Sequence, residues 1–221
     1  MPQRRSYPAC MWRSQQLAAI TAPIGGEVRL LGWIKKLTGR PQPLSGCELP
    51  IDQGLFDGPG DQLYQAIAAH WSEADSNYRP MPNARDRVDD LERRYALRLP
   101  EDFRNYLIHA SPSEIYWDHI GTQWWTITEI KNIPDECPDG PVGGPNPEIE
   151  AERDHYLVFA DFLIWCYAWA ICCSDGPNRG KIALIGGAPD GFVADSFREF
   201  MKLELTNDAV IHVGRKRHSE R

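Results

Sequence analysis

The residues that could carry out catalysis do not match the usual catalytic patterns. The segment 176–181 resembles a phosphate-binding loop, but three residues rather than four separate its glycines, and Ile182 replaces the Ser or Thr that would bind magnesium. The sequence contains neither a G-x-S-x-G nucleophile elbow nor an H-E-x-x-H zinc motif, and its six histidines are scattered. We therefore expect no enzymatic activity, no cofactor and no metal site.

One enzymatic alternative stays open at Glu114, Asp118 and His119. Neighbouring side chains on a strand or helix point in different directions, so Asp118 and His119 do not form a dyad merely by being adjacent. An acid–base site would require that the three groups line one pocket and that the pKa of the histidine is shifted. We keep this site as the alternative to a binding function.

Tyr116 and Trp117 lie in a polar, turn-like stretch beside Glu114 and Asp118. Exposed aromatic rings among carboxylates are typical of protein interfaces, where the rings supply buried area and the acids supply orientation. An aromatic contact that caps the edge of a sheet would fit the same residues. The predicted partner-binding residues are Glu114, Tyr116, Trp117, Asp118, Asp139 and Asp175.

The charge of the chain is unevenly distributed. The 221 residues include 24 Lys and Arg and 31 Asp and Glu, a net charge of −7. Because residues 1–50 carry a net +5 and residues 212–221 a net +3, residues 51–211 must carry −15. An acidic body argues against nucleic acid as the ligand and favours a basic protein partner. An ordinary acidic cytosolic protein would have the same charge.

Neither a membrane span nor an oxidised compartment is expected. The longest apolar stretch, residues 162–173, is shorter than the roughly 20 residues needed to cross a bilayer. Polar residues interrupt the N-terminal segment before a secretory signal could form. The six cysteines form no C-x-x-C pair, so we expect no disulfide framework or zinc site, and we predict that Cys166, Cys172 and Cys173 are core residues. A reducing cytoplasm fits this pattern.

The chain is predicted to have three parts. Residues 1–60 form an irregular basic extension, 61–211 an α+β domain and 212–221 a basic tail. Within the extension, Gly25-Gly26-Glu27 can be encoded by a ribosome-binding sequence, so translation from Val28, Leu30 or Leu31, without residues 1–27, is an alternative start. A real loop with this composition is equally compatible with the sequence.

Apolar spacing predicts the elements of the domain. Helices are expected from Asp61, across 86–99 up to the Leu99-Pro100 corner, from that corner to residue 110, and after a cap at Asp195 or Ser196. Strands are expected at 124–130, as two strands within 156–173, and at 181–185 after the turn-forming segment 174–180. The segment 133–150 holds five prolines and three glycines and is predicted to be a long surface loop.

The order of these motifs resembles the SUKH superfamily. The stretch RVDDLERRYALRLPEDFRNYLIHAS (residues 87–111) contains Glu92 in an acidic helix and then Leu99-Pro100, an acid and an aromatic residue. A hairpin-like second half follows, and Ser196, Phe197 and Phe200 match the Ser-Phe-x-x-Phe start of the last helix of the family. The similarity covers about residues 80–206. The segment 133–150 and the residues before about 60–80 have no counterpart in the pattern.

The resemblance implies a curved, mostly antiparallel sheet backed by helices. The superfamily includes a fungal cell-wall synthesis regulator and bacterial immunity proteins that neutralise a cognate toxin by direct binding. The resemblance therefore implies a non-catalytic cytoplasmic immunity protein of a bacterial polymorphic-toxin system. Its partner would be a toxin protein, expected to be basic, with no nucleic acid or membrane involved. A regulatory scaffold, as in the fungal branch, is the alternative binding function.

Overall fold

Seven α-helices and seven strands make up the described part of the chain. The computed structural model describes residues 49–140, 144–187 and 190–213. The predictions for residues 1–48 and 214–221, including the alternative start and most of the basic tail, lie outside these described residues. The α+β class with an antiparallel sheet backed by helices is confirmed, and the sheet does not close into a barrel.

Three helices form the first half of the domain. They are α1 (Gly60–Ala74), α2 (Ala84–Tyr95) and α3 (Glu101–Ala110). Their buried residues recur at three- and four-residue spacing, as the sequence predicted. Helix α1 begins one residue before Asp61, so Asp61 lies in its first turn instead of capping it. The carboxylate still lies at the positive end of the helix, where it is favourable.

The Leu-Pro corner between α2 and α3 is held by side chains from two parts of the chain. Helix α2 ends at Tyr95 and is capped by Ala96, whose φ of 51° is left-handed. The Glu92 carboxylate accepts a hydrogen bond from the Leu99 N–H at 2.9 Å. Arg179 donates to the carbonyls of Arg98 and Leu99 at 2.9 and 3.2 Å. The glutamate that carries the family resemblance therefore shapes the corner of this chain.

The sheet is a meander with one interruption. Its strands are β1 (Tyr116–Trp117), β2 (Thr122–Trp124), β3 (Lys131–Asn132), β4 (Tyr156–Phe162), β5 (Tyr167–Cys172), β6 (Ile182–Ile185) and β7 (Gly191–Ala194). Their order is β1-β2-β4-β5-β6-β7, and every pair is antiparallel. Strand β3 pairs with β4 along the same edge as β2, so two short strands share that edge.

A single strand over residues 124–130 was predicted, and this prediction is wrong. Strand β2 ends at Trp124, and residues 126–130 form a turn in which the Ile130 N–H donates to the Thr126 carbonyl. The Thr126 hydroxyl also donates to Glu129 at 2.9 Å. Local hydrogen bonds of this kind compete with the ladder bonds of a sheet, and here they replace them.

The larger core lies between the helices and one face of the sheet. Helix α6 (Phe197–Leu205) starts at Ser196, whose hydroxyl accepts from the Glu199 N–H at 3.1 Å, and places Phe197, Phe200 and Met201 inward. Ser196, one of the two predicted caps, is therefore the cap. Helix α7 (Val210–Val213) continues the domain two residues past the predicted boundary at 211.

Residues 49–60 also belong to the domain instead of the irregular extension. A 3-10 helix at Gln53–Asp57 buries Phe56 against the core. Arg198 of α6 donates to the Phe56 and Gly58 carbonyls at 2.9 and 2.8 Å and pairs with the Asp102 carboxylate at 3.0 Å. One arginine therefore joins this segment to helices α3 and α6.

The segment 133–150 covers the second face of the sheet and is not only a surface loop. It contains two four-residue helices, α4 (Ile133–Glu136) and α5 (Pro147–Glu150). Ile133 and Ile149 are buried in a separate core with residues of β4, β5 and β6. The sheet is therefore packed on both faces, which the proline content of the segment had concealed.

Candidate partner-binding site

Asp118 organises the turn between β1 and β2. Its Oδ1 accepts hydrogen bonds from the backbone N–H groups of Ile120, Gly121 and Thr122 at 3.0, 3.0 and 2.9 Å. Its Oδ2 accepts from the indole N–H of Trp124 at 3.0 Å. Both oxygens are therefore engaged with the turn itself, in the manner of an Asx turn. Asp118 builds the hairpin on which the predicted site lies.

The two aromatic residues of β1 point to opposite sides of the strand. Tyr116 is 7% exposed, and its ring lies 5.3 Å from Trp71 and 5.1 Å from Tyr78 between centroids. The exposure expected for Tyr116 is not found. Trp117 is 43% exposed, and Glu114 beside it is also exposed. Trp117 and Glu114 are thus the members of this group that face solvent.

Asp139 and Asp175 are exposed but lie away from β1. The seven-residue strand β4 is about 20 Å long. Its Phe162 end pairs with Thr122, next to Asp118, whereas its Tyr156 end pairs with Cys172, three residues before Asp175. Asp139 follows α4, and Arg153, three residues before β4, donates to the Cys137 carbonyl. The six predicted residues therefore do not form one contiguous site.

The arrangement required for an acid–base site is not assembled around Asp118. An acid–base role would need a carboxylate oxygen directed at His119, whereas both oxygens of Asp118 accept hydrogen bonds from other donors. His119 and Glu114 are exposed at the turn and at the start of β1. Within the described ranges, no three His, Cys, Asp or Glu side chains are placed to hold a metal ion.

A buried carboxyl group lies beneath the hairpin. Glu204 of α6 is 4% exposed, and its carboxyl interacts with the partly buried carboxyl of Asp118. Burial raises the pKa of Glu204 well above its usual value, and the negative charge of Asp118 raises it further. Glu204 therefore favours its protonated form and can donate to Asp118. The sequence contained a signal for this buried acid, because Glu204 continues the apolar stripe of α6 formed by Phe197, Phe200 and Met201.

His212 of α7 packs against the facing ends of β4 and β5 and was missed by the sequence analysis. Its Nδ1 is 2.7 Å from the Tyr167 hydroxyl, and its ring packs 5.0 Å from that of Phe162. Burial lowers the pKa of His212, whereas the charges of Asp118 and Asp208 oppose this effect. The sequence analysis assigned His212 to the basic tail and therefore did not predict that it is part of the packed domain.

The connection between β4 and β5, residues 163–166, is the most unusual backbone segment in the described chain. We call it the β4–β5 tip. Leu163, Ile164 and Trp165 have φ values of 45°, 59° and 64°, all left-handed. A left-handed conformation costs an L-residue roughly 1–2 kcal/mol, so the tip stores about 3–6 kcal/mol before compensating contacts. A β-branched residue such as Ile164 is a particular outlier there.

Contacts on the second face hold the tip in this conformation. Asp161 accepts from the Trp165 backbone N–H and from the Trp125 indole, both at 2.7 Å. The Trp165 indole donates to Glu136 at 3.0 Å, and Lys131 pairs with the other oxygen of Glu136 at 2.9 Å. Burial raises the pKa of Asp161, and its two hydrogen bonds oppose the rise. The carboxylate therefore stabilises the strained turn.

The cysteines differ from the prediction at one position. Cys172 and Cys173 are buried, as predicted, and burial raises the pKa of both thiols, which makes them poor nucleophiles. Cys166 is exposed because it lies on the β4–β5 tip and not in a strand, so the prediction that it is a core residue is wrong. No disulfide joins the four described cysteines to one another.

Comparison of the chain with protein-family models gave no match, and comparison with curated proteins gave none at a significant level. In the part of the chain that the structure describes, no helix has both the length and the apolar character needed to cross a membrane. The functional argument therefore depends on the residues of this chain.

Proposed function

We propose that this protein is a non-catalytic binding protein of the bacterial cytoplasm that neutralises a basic toxin protein by direct contact. The observation that carries the proposal is the charge of residues 105–178, which build strands β1 to β5. This range contains twelve acidic residues and only two basic ones, Lys131 and Arg153. A partner with a basic surface would be steered to this half of the molecule and held there by complementary charge.

The side chains of β1 support a binding role more than a catalytic one. Trp117 offers a large exposed ring on a two-residue edge strand, with Glu114 nearby. Tyr116 and Asp118 lie beneath them and hold the hairpin in place. A rigid, supported aromatic residue beside a carboxylate is typical of an interface anchor.

The resemblance to the SUKH superfamily supports the immunity function within this binding class. The residues that carry the resemblance have structural roles here, since Glu92 holds the Leu99 corner and Ser196 caps α6. A regulatory scaffold remains the second binding function, and the identity of the partner separates the two. Neutralisation requires that the partner is toxic when it is expressed alone.

In the immunity branch of the superfamily the toxin is encoded by a neighbouring gene, so co-expression with the product of the adjacent gene tests the proposal. We expect the wild-type chain to restore growth of cells that express this product, and Glu114→Lys combined with Trp117→Ala to reduce the rescue. The control variant is Asp86→Lys combined with Asp90→Lys, which alters exposed acids on α2. It should rescue like the wild type, with an unchanged circular dichroism spectrum. Failure of the wild type to rescue would contradict the immunity function.

A further inference from the structure

The β4–β5 tip exposes two apolar side chains, and the fold does not use that of Ile164. Ile164 is 75% exposed and Leu163 is 38% exposed. The hydrogen bonds that fix the turn involve backbone groups and Asp161: the Trp165 N–H donates to Asp161, and the Cys166 N–H donates to the Phe162 carbonyl at 2.8 Å. None of them depends on the side chain of Ile164.

The backbone of the tip favours other residues at position 164. Asn and Gly adopt left-handed φ values far more readily than a β-branched residue. Ile164 therefore combines an unfavourable backbone conformation with a solvent-exposed apolar side chain. Strained residues that persist in a well-held segment often serve recognition, and an exposed aliphatic side chain gains free energy only when something covers it.

The surroundings of the tip indicate what could cover it. The Leu163 N–H donates to the Gly121 carbonyl at 3.1 Å, and the Leu163 side chain packs over Gly121, so the tip adjoins the hairpin that carries Trp117 and Glu114. Residues 105–130 and 154–178, which supply both hairpins, contain no Lys or Arg. An anionic lipid surface would be repelled by these segments, whereas a basic protein surface would be attracted.

We propose that the β4–β5 tip is the docking element of this protein, and that Leu163 and Ile164 insert into an apolar pocket on a basic protein partner. Glu114, the exposed carboxylate of the adjoining hairpin, pairs with a Lys or Arg residue at the rim of that pocket, whereas Asp161 and Glu136 stay buried and hold the tip. This inference rests on the proposed function and specifies the part of the molecule that meets the toxin. An apolar anchor in a desolvated pocket, enclosed by charged contacts, is the usual composition of a binding hot spot.

Ile164→Asn tests the proposal because binding and stability should change in opposite directions. The variant relieves the left-handed strain, so its Tm should rise by about 2–4 °C. Its affinity for the catalytically inactivated product of the adjacent gene, measured by calorimetry, should fall at least about tenfold. The matched control is Ala96→Asn, which relieves the same strain at the exposed end of α2. It should raise Tm without changing the affinity.

The possible outcomes separate this inference from the proposed function. If the wild type binds and Ile164→Asn binds equally well, the docking role of the tip is wrong although the function stands. If the wild type does not bind the inactivated product, the proposed function itself fails. A tip that served only to cover the core would give a lower Tm in Ile164→Asn. The wild type is also tested for dimerisation and for binding to vesicles of phosphatidylcholine and phosphatidylglycerol. If Ile164→Asn abolishes either of these, the tip has another occupant and the proposal is overturned.

Discussion

Replacing Asp118 should destabilise the protein even though the residue lies at the surface hairpin that we associate with binding. Asp118→Asn keeps one carbonyl-type oxygen, which can still accept from the turn N–H groups of Ile120, Gly121 and Thr122. The new amide N–H₂ then faces the indole N–H of Trp124, so two donors meet. Asp118→Ala removes the acceptors for both the turn and the indole.

The size of the effect follows from the burial of Trp124, which is fully inaccessible to solvent. A buried donor left without an acceptor costs about 1–3 kcal/mol, and this is the cost we expect for Asp118→Asn. Asp118→Ala also loses a cap-like interaction of about 1 kcal/mol, which brings the loss to about 2–4 kcal/mol. Removing the charge eases the ionisation of Glu204, so the cost should be smaller at higher pH.

Urea unfolding followed by tryptophan fluorescence and far-UV circular dichroism measures this cost. Asp175→Asn is the control, because Asp175 is almost fully exposed and its ion pair with Arg179 should contribute less than about 0.5 kcal/mol. If Asp118→Asn unfolds within about 0.5 kcal/mol of the wild type, the structural role of Asp118 is refuted. Unchanged stability together with lost rescue would make Asp118 a direct partner contact instead.

Two further predictions concern groups that the structure buries or joins. Because the folded pKa of Glu204 is raised, wild-type stability should fall as pH rises from about 4.3, the usual glutamate value, through the folded pKa. Glu204→Gln should remove this dependence of stability on pH, and urea unfolding at pH 8 should give it a higher free energy of unfolding than the wild type. The prediction is contradicted if the free energies of unfolding of the two proteins change in parallel with pH. Arg198→Ala should lower the free energy of unfolding by about 2–4 kcal/mol, because it loses charge-assisted hydrogen bonds to Asp102 and hydrogen bonds to two backbone carbonyls. It should also reduce the hydrogen-exchange protection of residues 53–58. Arg198→Lys should be intermediate, and unchanged protection in Arg198→Ala would show that this segment packs independently.

Periodicity predicted the helices well because each one buries a single stripe. Trp71 on α1 and Leu91 on α2 lie on such stripes, and Leu99-Pro100 starts α3 as predicted. The prediction that α2 continues to Leu99 is wrong, because the left-handed Ala96 ends it at Tyr95. The strand prediction at 124–130 failed because β-branched and aromatic residues also suit a turn whose side chains bond to each other. Thr126 bonds to Glu129 there, and this contact depends on neighbours that a propensity does not include.

The segment 133–150 was misjudged although its sequence contained a usable signal. Asn132 and Asn146 cap α4 and α5 through their side chains, and each cap is followed by a proline in the first helical turn. An Asn cap with an early Pro is a helix start even when glycines lie nearby. Burial of Ile133 and Ile149 could not be predicted, since it requires that the second face of the sheet is open to them.

The candidate site could be predicted only in part because β1 is two residues long. In such a short strand, alternation places Tyr116 and Trp117 on opposite faces. The strand is too short to contain a longer hydrophobic pattern that would fix its register and so decide which of the two faces solvent. Two strands within residues 156–173 were predicted, but the position of the β4–β5 tip between them was not, because Leu163 to Cys166 form an apolar run that is typical of a buried strand. Only the backbone conformation shows that Ile164 is outside the core.

The structure also changes what the net charge means for binding. Four acids of the described chain are buried, namely Glu136, Asp161, Asp190 and Glu204, and one of them, Glu136, is paired with Lys131. The charge of −15 on residues 51–211 therefore exceeds the charge that a partner meets. What remains is polarised, since residues 79–104 contain seven arginines and six acids, a net charge of +1, whereas residues 105–178 contain twelve acids and two basic residues, a net charge of −10. A basic partner is therefore attracted to the side that carries Trp117 and the β4–β5 tip and not to the nearly neutral α2 side. The orientation of the complex follows from this asymmetry more than from the total charge.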